Sequence, residues 1–154
     1  MDNIRQKIVD AIKVELVKIK KENDFESDAG GSVHEHRERP WDVNAGEMPG
    51  LEIRDMEEEV IETIMRANQT LYRKSMSFRV FIISEIDMEK VRKIIADVYK
   101  AMKVFYDTHQ PQGLIDNVEE SRNDMVTDRE SDKIFGCEII FNIQYRHQRL
   151  EAYQ

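Results

Sequence analysis

The first part of the chain repeats apolar residues with the period of an α-helix. Between positions 3 and 21 they recur every three or four residues, and most of the charged residues fall between them. This spacing places the apolar side chains on one side of a helix, so it predicts an amphipathic helix that docks on the rest of the domain rather than on a membrane. The stripe consists of Ile4, Ile8, Ile12, Leu16 and Ile19.

A second stripe of the same period begins after Asp87. The carboxylate of Asp87 can accept a free amide of the first helical turn, which makes this residue the predicted helix cap. We expect the helix to end near Asp107, before the turn that Pro and Gly predict at 111–113. The apolar residues of this stripe are Val91, Ile94, Ile95, Val98, Met102 and Phe105.

Alternation of apolar and polar residues predicts several β-strands. A strand over 71–84 is apolar on both faces, as expected in the middle of a sheet. A short strand at 51–54 precedes it, residues 56–67 fit a helix and a strand equally, and a very polar extended stretch follows 114. The last strand is the clearest, because its apolar residues share one face and its polar residues the other. Its apolar face comprises Phe135, Cys137, Ile139, Phe141, Ile143 and Tyr145.

The order helix, strands, helix, strands predicts an α+β domain, an antiparallel sheet with two helices packed on one face. A length of 154 residues suits a single domain over 1–154. Neither the helical nor the strand pattern of apolar residues continues between 23 and 50, where glycines and prolines recur. Loops of this length in a compact domain are usually functional or mobile, so we expect a long mobile loop at about 23–50.

Charge narrows the choice of partners. The chain has 23 Lys and Arg against 31 Asp and Glu, a net charge of −8, so we expect no specific nucleic-acid binding.

The longest apolar runs are far shorter than the roughly 18 residues of a bilayer span. With no secretory-signal pattern at the N-terminus, we expect no membrane contact and a cytoplasmic protein. The single Cys137 excludes an intramolecular disulfide and a zinc site built on several thiolates.

Some acidic residues have part of the spacing of a calcium-binding loop. Asp24, Glu26 and Asp28 alternate, and Glu35 is at the twelfth position counted from Asp24. The sixth position of such a loop needs glycine for its backbone turn, but Ala29 occupies it. We therefore expect a solvated acidic turn here rather than a calcium site.

His34 and His36 lie two positions apart, which on a strand points both imidazoles to one side. That geometry binds a transition metal when a third ligand comes from elsewhere, but no H-E-x-x-H motif or second His and Cys cluster accompanies them. We expect no metal and no cofactor, and a small metal-dependent enzyme using these two histidines is kept as an alternative. The acidic runs at 57–59 and 116–132 indicate solvated surface, so no catalytic residue is predicted.

The best candidates for contact with a partner lie close together in the predicted loop. Arg37 and Arg39 precede Trp41, the only tryptophan, in a stretch that is otherwise poor in apolar residues. Trp and Arg are the side chains most often found as interface anchors. The alternative is a Trp41 that folds back onto its own core, since tryptophan is intermediate in its preference for burial.

Several of these segments, taken together, form a familiar pattern. In chain order they are the helix from Ile4 to Ile19, the Arg- and Pro-bearing loop at 37–40, the stretch 48–53 that enters the first strand, the strand at 79–82, the helix at 87–105 and the closing strand that ends at 143–146. Their arrangement resembles the tail terminator (tail completion) proteins of long-tailed bacteriophages. The resemblance covers nearly the whole chain, although the acidic stretch at 56–67 is longer than the family pattern leads us to expect.

The resemblance implies a non-enzymatic structural protein of a phage or prophage. Such a protein assembles with itself as a ring, expected to be a hexamer, on the head-proximal end of the tail tube. Its other partners would be the tail tube protein and the head-completion or connector protein, first in the host cytoplasm and finally in the virion. The alternatives are a neck or head-completion protein, or a tail tube subunit, which would polymerise beyond one ring.

Overall fold

Two α-helices and one five-stranded sheet make up the described part of the chain. The computed structural model describes residues 3–36, 48–66, 69–85, 87–127 and 134–148. The helices are α1 (Ile4–Val17) and α2 (Met88–His109). The strands are β1 (Val33–Glu35), β2 (Gly50–Arg66), β3 (Gln69–Glu85), β4 (Asn117–Thr127) and β5 (Ile134–Gln148), and their order in the sheet is β1-β2-β3-β5-β4.

The predicted α+β class is confirmed, but the sheet is mixed. β1 runs parallel to β2, with Val33 opposite Leu51 and Glu35 opposite Ile53. The other neighbouring strands are antiparallel. The prediction of an antiparallel sheet was therefore wrong at this edge. A three-residue strand is too short to show alternation, and it lies inside the segment predicted as a loop.

Both helices begin at side-chain caps. The Asn3 side chain accepts a hydrogen bond from the Gln6 amide at 3.0 Å, and Asp87 accepts from the Glu89 amide at 3.0 Å, which confirms the predicted cap. α1 ends at Val17, before Ile19, the last residue of its predicted apolar stripe. A separate 3₁₀ turn follows at Lys21–Asn23.

The core is one cluster of buried apolar side chains that come from both helices and from the strands. Val80 on β3 is opposite Ile139 on β5, and Phe78 is opposite Phe141, so the buried positions of both strands share a face. Buried residues of α1, α2 and this face belong to one hydrophobic cluster. The predicted apolar face of the last strand is confirmed from Cys137 to Tyr145, whereas the side chain of Phe135 lies outside the described residues.

The predicted strands are longer than their patterns. The short strand and the ambiguous stretch at 56–67 are one continuous strand, β2, which pairs with β3 as far as Arg66 opposite Gln69. The polar stretch after 114 contains β4, which pairs with β5 and, among the described strands, forms one edge of the sheet. Both segments form strands because each pairs with an apolar neighbouring strand. Their own sequences are too polar to show a clear alternation.

The first part of the predicted loop is built onto the helices. The buried Asp97 on α2 accepts hydrogen bonds from the Glu26 amide at 3.0 Å and from the Ser27 hydroxyl at 2.6 Å. Lys100 donates to the Asp24 carbonyl at 2.8 Å. A 3₁₀ turn at Ala29–Gly31 and strand β1 follow, so the description of 23–50 as one long loop was wrong up to residue 35.

Gly30 permits a close approach of this segment to α1. A Cβ at this position would lie 2.5 Å from the Val17 carbonyl oxygen and 2.6 Å from that of Leu16, both backbone atoms. A Cβ on the neighbouring Gly31 would meet nothing within 4 Å.

We therefore expect Gly30→Ala to be strongly destabilising, by about 2 kcal/mol or more, because the backbone of α1 would have to shift. Gly31→Ala is the matched control and should change the free energy of unfolding by about 0.5 kcal/mol or less, in the stabilising direction. Urea denaturation of both variants tests this. Equal effects of the two substitutions would show that the segment is not packed against the end of α1.

Candidate assembly surfaces

The residues predicted as partner contacts, Arg37, Arg39 and Trp41, lie outside the described residues. The strand that leads toward them, β1, ends at Glu35. The next residue, His36, has a φ of 47°, so the backbone leaves the sheet in a left-handed conformation.

The two histidines are engaged in separate contacts. His34 Nε2 lies 3.1 Å from the Ser32 hydroxyl oxygen, and His36 Nε2 lies 2.7 Å from Asp55 Oδ1. Within the described ranges, no group of three His, Cys, Asp or Glu side chains is arranged to hold a metal ion. Of the acidic residues with calcium-loop spacing, Asp28 accepts a hydrogen bond from the Lys21 amide at 2.9 Å and so stabilises the local turn.

A polar cluster that we call the α1 anchor joins the first turn of α1 to β2. Arg5 Nε lies 2.5 Å from Asp55 Oδ2, and Arg5 Nη2 donates to the Met56 carbonyl at 2.7 Å. His36 holds the other oxygen of Asp55. The register of β2 against β3 shifts between Asp55 and Glu58. This β-bulge turns the strand so that both carboxylates face Arg5.

The second half of the α1 anchor surrounds Glu58. Its Oε1 lies 3.0 Å from Lys74 Nζ on β3, and its Oε2 lies 3.4 Å from Arg5 Nη1. The hydroxyl of the buried Tyr145 on β5 also donates to Glu58. Three strands and a helix therefore meet at one carboxylate.

The pKa values in the α1 anchor follow from these contacts. Burial opposes ionisation of Asp55, but hydrogen bonds from His36 and Arg5 outweigh it and lower the pKa of this carboxyl. Burial likewise opposes ionisation of Glu58, and hydrogen bonds from Tyr145 and Lys74 lower its pKa. Burial and then the bond to Glu58 raise the pKa of Tyr145. The cluster thus holds both carboxylates ionised and the phenol neutral, as in a structural ion-pair network.

This cluster was not predicted from the sequence. The acidic run at 57–59 was interpreted as solvated, which is wrong for Glu58, whereas Glu57 and Glu59 are exposed. Successive side chains of a strand point to opposite faces, so Glu58 points away from the face of Glu57 and Glu59. The sequence allows this inference only if residues 56–67 are already known to form a strand.

Beyond the α1 anchor, β2 and β3 continue as what we call the hairpin arm, residues 57–66 and 69–75. No residue of 57–65 or 69–75 is buried. Three large apolar residues are exposed there, Val60 by 51%, Ile61 by 43% and Met65 by 82%. At about 3.3 Å per residue, ten strand residues extend roughly 30 Å. On its other side β3 stays paired with β5 as far as Leu71 opposite Gln148, so the arm is the far end of the sheet and carries three exposed apolar residues on β2.

The edges of the sheet are poorly suited to pairing with another strand. Past β1, the outer edge of β2 has register shifts between Asp55 and Glu58 and between Val60 and Glu62. The opposite edge, β4, has a shift between Glu120 and Arg122. Both strands also carry many acidic side chains. Bulges and charges of this kind block edge-to-edge association.

The face of the sheet opposite the core consists largely of ion pairs. Arg73 on β3 is directly opposite Arg146 on β5, a repulsive arrangement unless it is compensated. Asp116 compensates both, with oxygen-to-Nε distances of 3.5 Å to Arg73 and 3.2 Å to Arg146. Arg54 and Arg79 form a second opposed pair, and carboxylates of the same face neutralise it. A face made of charged side chains can be exposed to water or can contact a charged partner.

Comparison with models of known protein families and with curated protein sequences returned no match. In the described ranges, neither helix is both long and apolar enough to cross a membrane. The class that the geometry defines is therefore an α+β protein whose mixed sheet has one apolar face and one face rich in ion pairs.

The lowered carboxyl pKa values predict how acid destabilises the fold. A carboxyl with a lowered pKa stabilises the folded state above its ordinary value, 4.5 for Glu58, and this contribution is lost as the pH falls through the folded-state pKa. We expect Glu58→Gln to lower the free energy of unfolding at pH 7 by about 1–2 kcal/mol.

The difference between Glu58→Gln and the unmodified protein should shrink in urea titrations repeated at progressively lower pH, because Glu58 is then protonated in both states of the unmodified protein. Glu59→Gln, an exposed neighbour, is the control and should follow the unmodified protein at every pH. A Glu58→Gln deficit that persists unchanged in acid would contradict the ion-pair account.

Proposed function

We propose that the protein is a tail terminator, a non-enzymatic assembly protein of a long-tailed phage or prophage. In this role it forms a ring, expected to be a hexamer, on the head-proximal end of the tail tube. The ring stops polymerisation of the tube and presents a surface to the head-completion or connector protein. The observation that supports this most is the hairpin arm, because its exposed Val60, Ile61 and Met65 leave water only in contact with another protein.

The two different faces of the sheet also support a role in a ring. We infer that both helices cover one face, since their buried residues share a single hydrophobic cluster with it. The opposite face, with its compensated arginines, is then free to line an aqueous channel or meet a neighbour. With a net charge of −8, a channel lined by this protein repels the phosphate backbone, so DNA passes without binding.

The proposed site of action is the joint between tail and head in the virion, after assembly in the host cytoplasm. A tail tube subunit or a neck protein of the same particle would need similar association surfaces. The extent of polymerisation separates the first of these from a terminator, because a terminator stops at one ring.

Native mass spectrometry and negative-stain imaging of the purified protein test the proposal. We expect rings of a single size, and in a phage that lacks this protein we expect tubes of uncontrolled length that join no heads. Open-ended tubes formed by the protein alone would instead indicate a tube subunit. Normal tails in the deletion phage would contradict the tail-terminator role.

The predicted contact residues provide a second test. We expect Trp41→Ala and Arg39→Ala to reduce tail completion by about tenfold or more, the effect of losing an interface anchor worth about 1.4 kcal/mol. Lys103→Ala is the control, because its exposed pair with Asp107 contributes little. Completion is scored as infectious particles after complementation in trans. Full complementation by both loop variants would leave the hairpin arm as the favoured contact.

A further inference from the structure

Five arginines with described side chains lie on the face of the sheet opposite the core. Arg54 is directly opposite Arg79, and Arg73 is directly opposite Arg146. Both β3 positions are odd-numbered, whereas the buried residues of the core face of β3 are even-numbered. Arg122 on β4 belongs to the same face. We call the surface formed by these five residues the arginine face.

Each arginine of this face has a carboxylate partner from the same face. The partners lie no farther than 3.5 Å away, and Asp116 serves two arginines at once. The pairs are Arg54 with Glu52, Arg79 with Glu138, Arg122 with Asp124, and both Arg73 and Arg146 with Asp116. Arg73 has a second partner, Glu62, at 2.9 Å. The charge of the arginine face is therefore balanced within the face itself.

The carboxylates are less exposed than the arginines that they balance. The Arg54 side chain is 38% exposed and that of Glu52 is 11% exposed. The Arg146 side chain is 42% exposed and that of Asp116 is 25% exposed. The guanidinium groups thus reach solvent while their negative partners lie closer to the sheet. A polyanion that approaches this face meets arginines, but it meets no excess of positive charge.

These contacts balance charge without using all the hydrogen-bond donors of the arginines. Within the described part of the chain, the Nε atoms of Arg54, Arg73 and Arg79 have no hydrogen-bond partner. The Arg79 guanidinium also lies over the ring of Phe81, 4.6 Å from its centroid, which holds it on the face. A guanidinium with unused donors binds phosphate oxygens well when its charge is not balanced. The carboxylates are therefore what keeps these arginines from binding phosphates.

We propose that Asp116 and Glu138 set the affinity of the arginine face for DNA. By balancing Arg146 and Arg79 they prevent contacts with phosphates that would hold DNA, so that DNA moves past the face. This rests on the channel role proposed above and names the residues responsible for it. The net charge of −8 repels DNA at a distance, but within a Debye length of about 8–10 Å the local charges decide.

A double variant, Asp116→Asn with Glu138→Gln, tests the proposal. It releases Arg146 and Arg79, whereas Arg73 keeps Glu62. The matched control is Glu57→Gln with Glu59→Gln, which changes the net charge equally. Both control residues are exposed and have no ion-pair partner among the described residues, so their loss releases no arginine. Fluorescence anisotropy of a labelled DNA duplex, titrated at several salt concentrations, measures the affinity.

We expect the unmodified protein and the control to bind the duplex equally weakly. The double variant should bind about tenfold more tightly at low salt, because two arginines gain phosphate contacts. The slope of log K against log salt should become steeper by about 2. Adding Arg146→Gln to the double variant should remove about half of this increase in slope. Should the loss of Asp116 unfold the protein, Glu138→Gln alone releases only Arg79 and should steepen the slope by about 1.

Two results would overturn the proposal. One is a double variant that folds and binds DNA no more tightly than the unmodified protein. The other is an equal gain in affinity by the control, which would show that net charge, and not the ion pairs of the arginine face, sets the affinity.

Complementation of a phage that lacks the protein tests the consequence for DNA passage. The double variant should complete tails but yield particles that deliver their DNA poorly, whereas the control should yield infectious particles. Full infectivity with a variant that binds DNA tightly would contradict the role in passage. Normal tails without any protein supplied would contradict the tail-terminator function, while the measured effect of the carboxylates on DNA affinity would stand.

Discussion

The guanidinium of Arg5 links the helical layer to the sheet at the point where β2 changes register. It binds Asp55 and the Met56 carbonyl on one side of the bulge and Glu58 on the other. Without this cation, two half-buried carboxylates would lose a shared positive charge, and the pKa of each would be lowered less. The bulge, the placement of α1 and the start of the hairpin arm therefore depend on the same set of ion pairs.

This arrangement divides β2 into two parts with different roles. Before the bulge, Leu51 and Ile53 are buried and belong to the core. After it, the large apolar residues Val60, Ile61 and Met65 are exposed. Tyr145 lies at the boundary, since its ring is buried while its hydroxyl reaches Glu58. The domain is thus complete on one side of the boundary, and the arm is available for association on the other.

The extent to which the sequence predicts the fold depends on the length of each periodic pattern. The helices and strands β3 and β5 were predicted because they repeat over many residues. The parallel strand β1 was missed because three residues carry no pattern, and β2 was ambiguous because the apolar residues of its arm have no core to face. The α1 anchor could not be predicted, since Arg5, Glu58 and Tyr145 are far apart in sequence and meet only through a bulge.

The pairing of β3 with β5 has a consequence for how the chain folds. β3 and β2 are joined by a short connection and can pair as soon as both are synthesised. The other edge of β3 is satisfied only by β5, where Leu71 pairs with Gln148 across the whole of α2 and β4. Until 134–148 leave the ribosome, the central strand β3 keeps an open edge. The nascent chain is therefore most exposed to aggregation late in synthesis, just before the sheet closes.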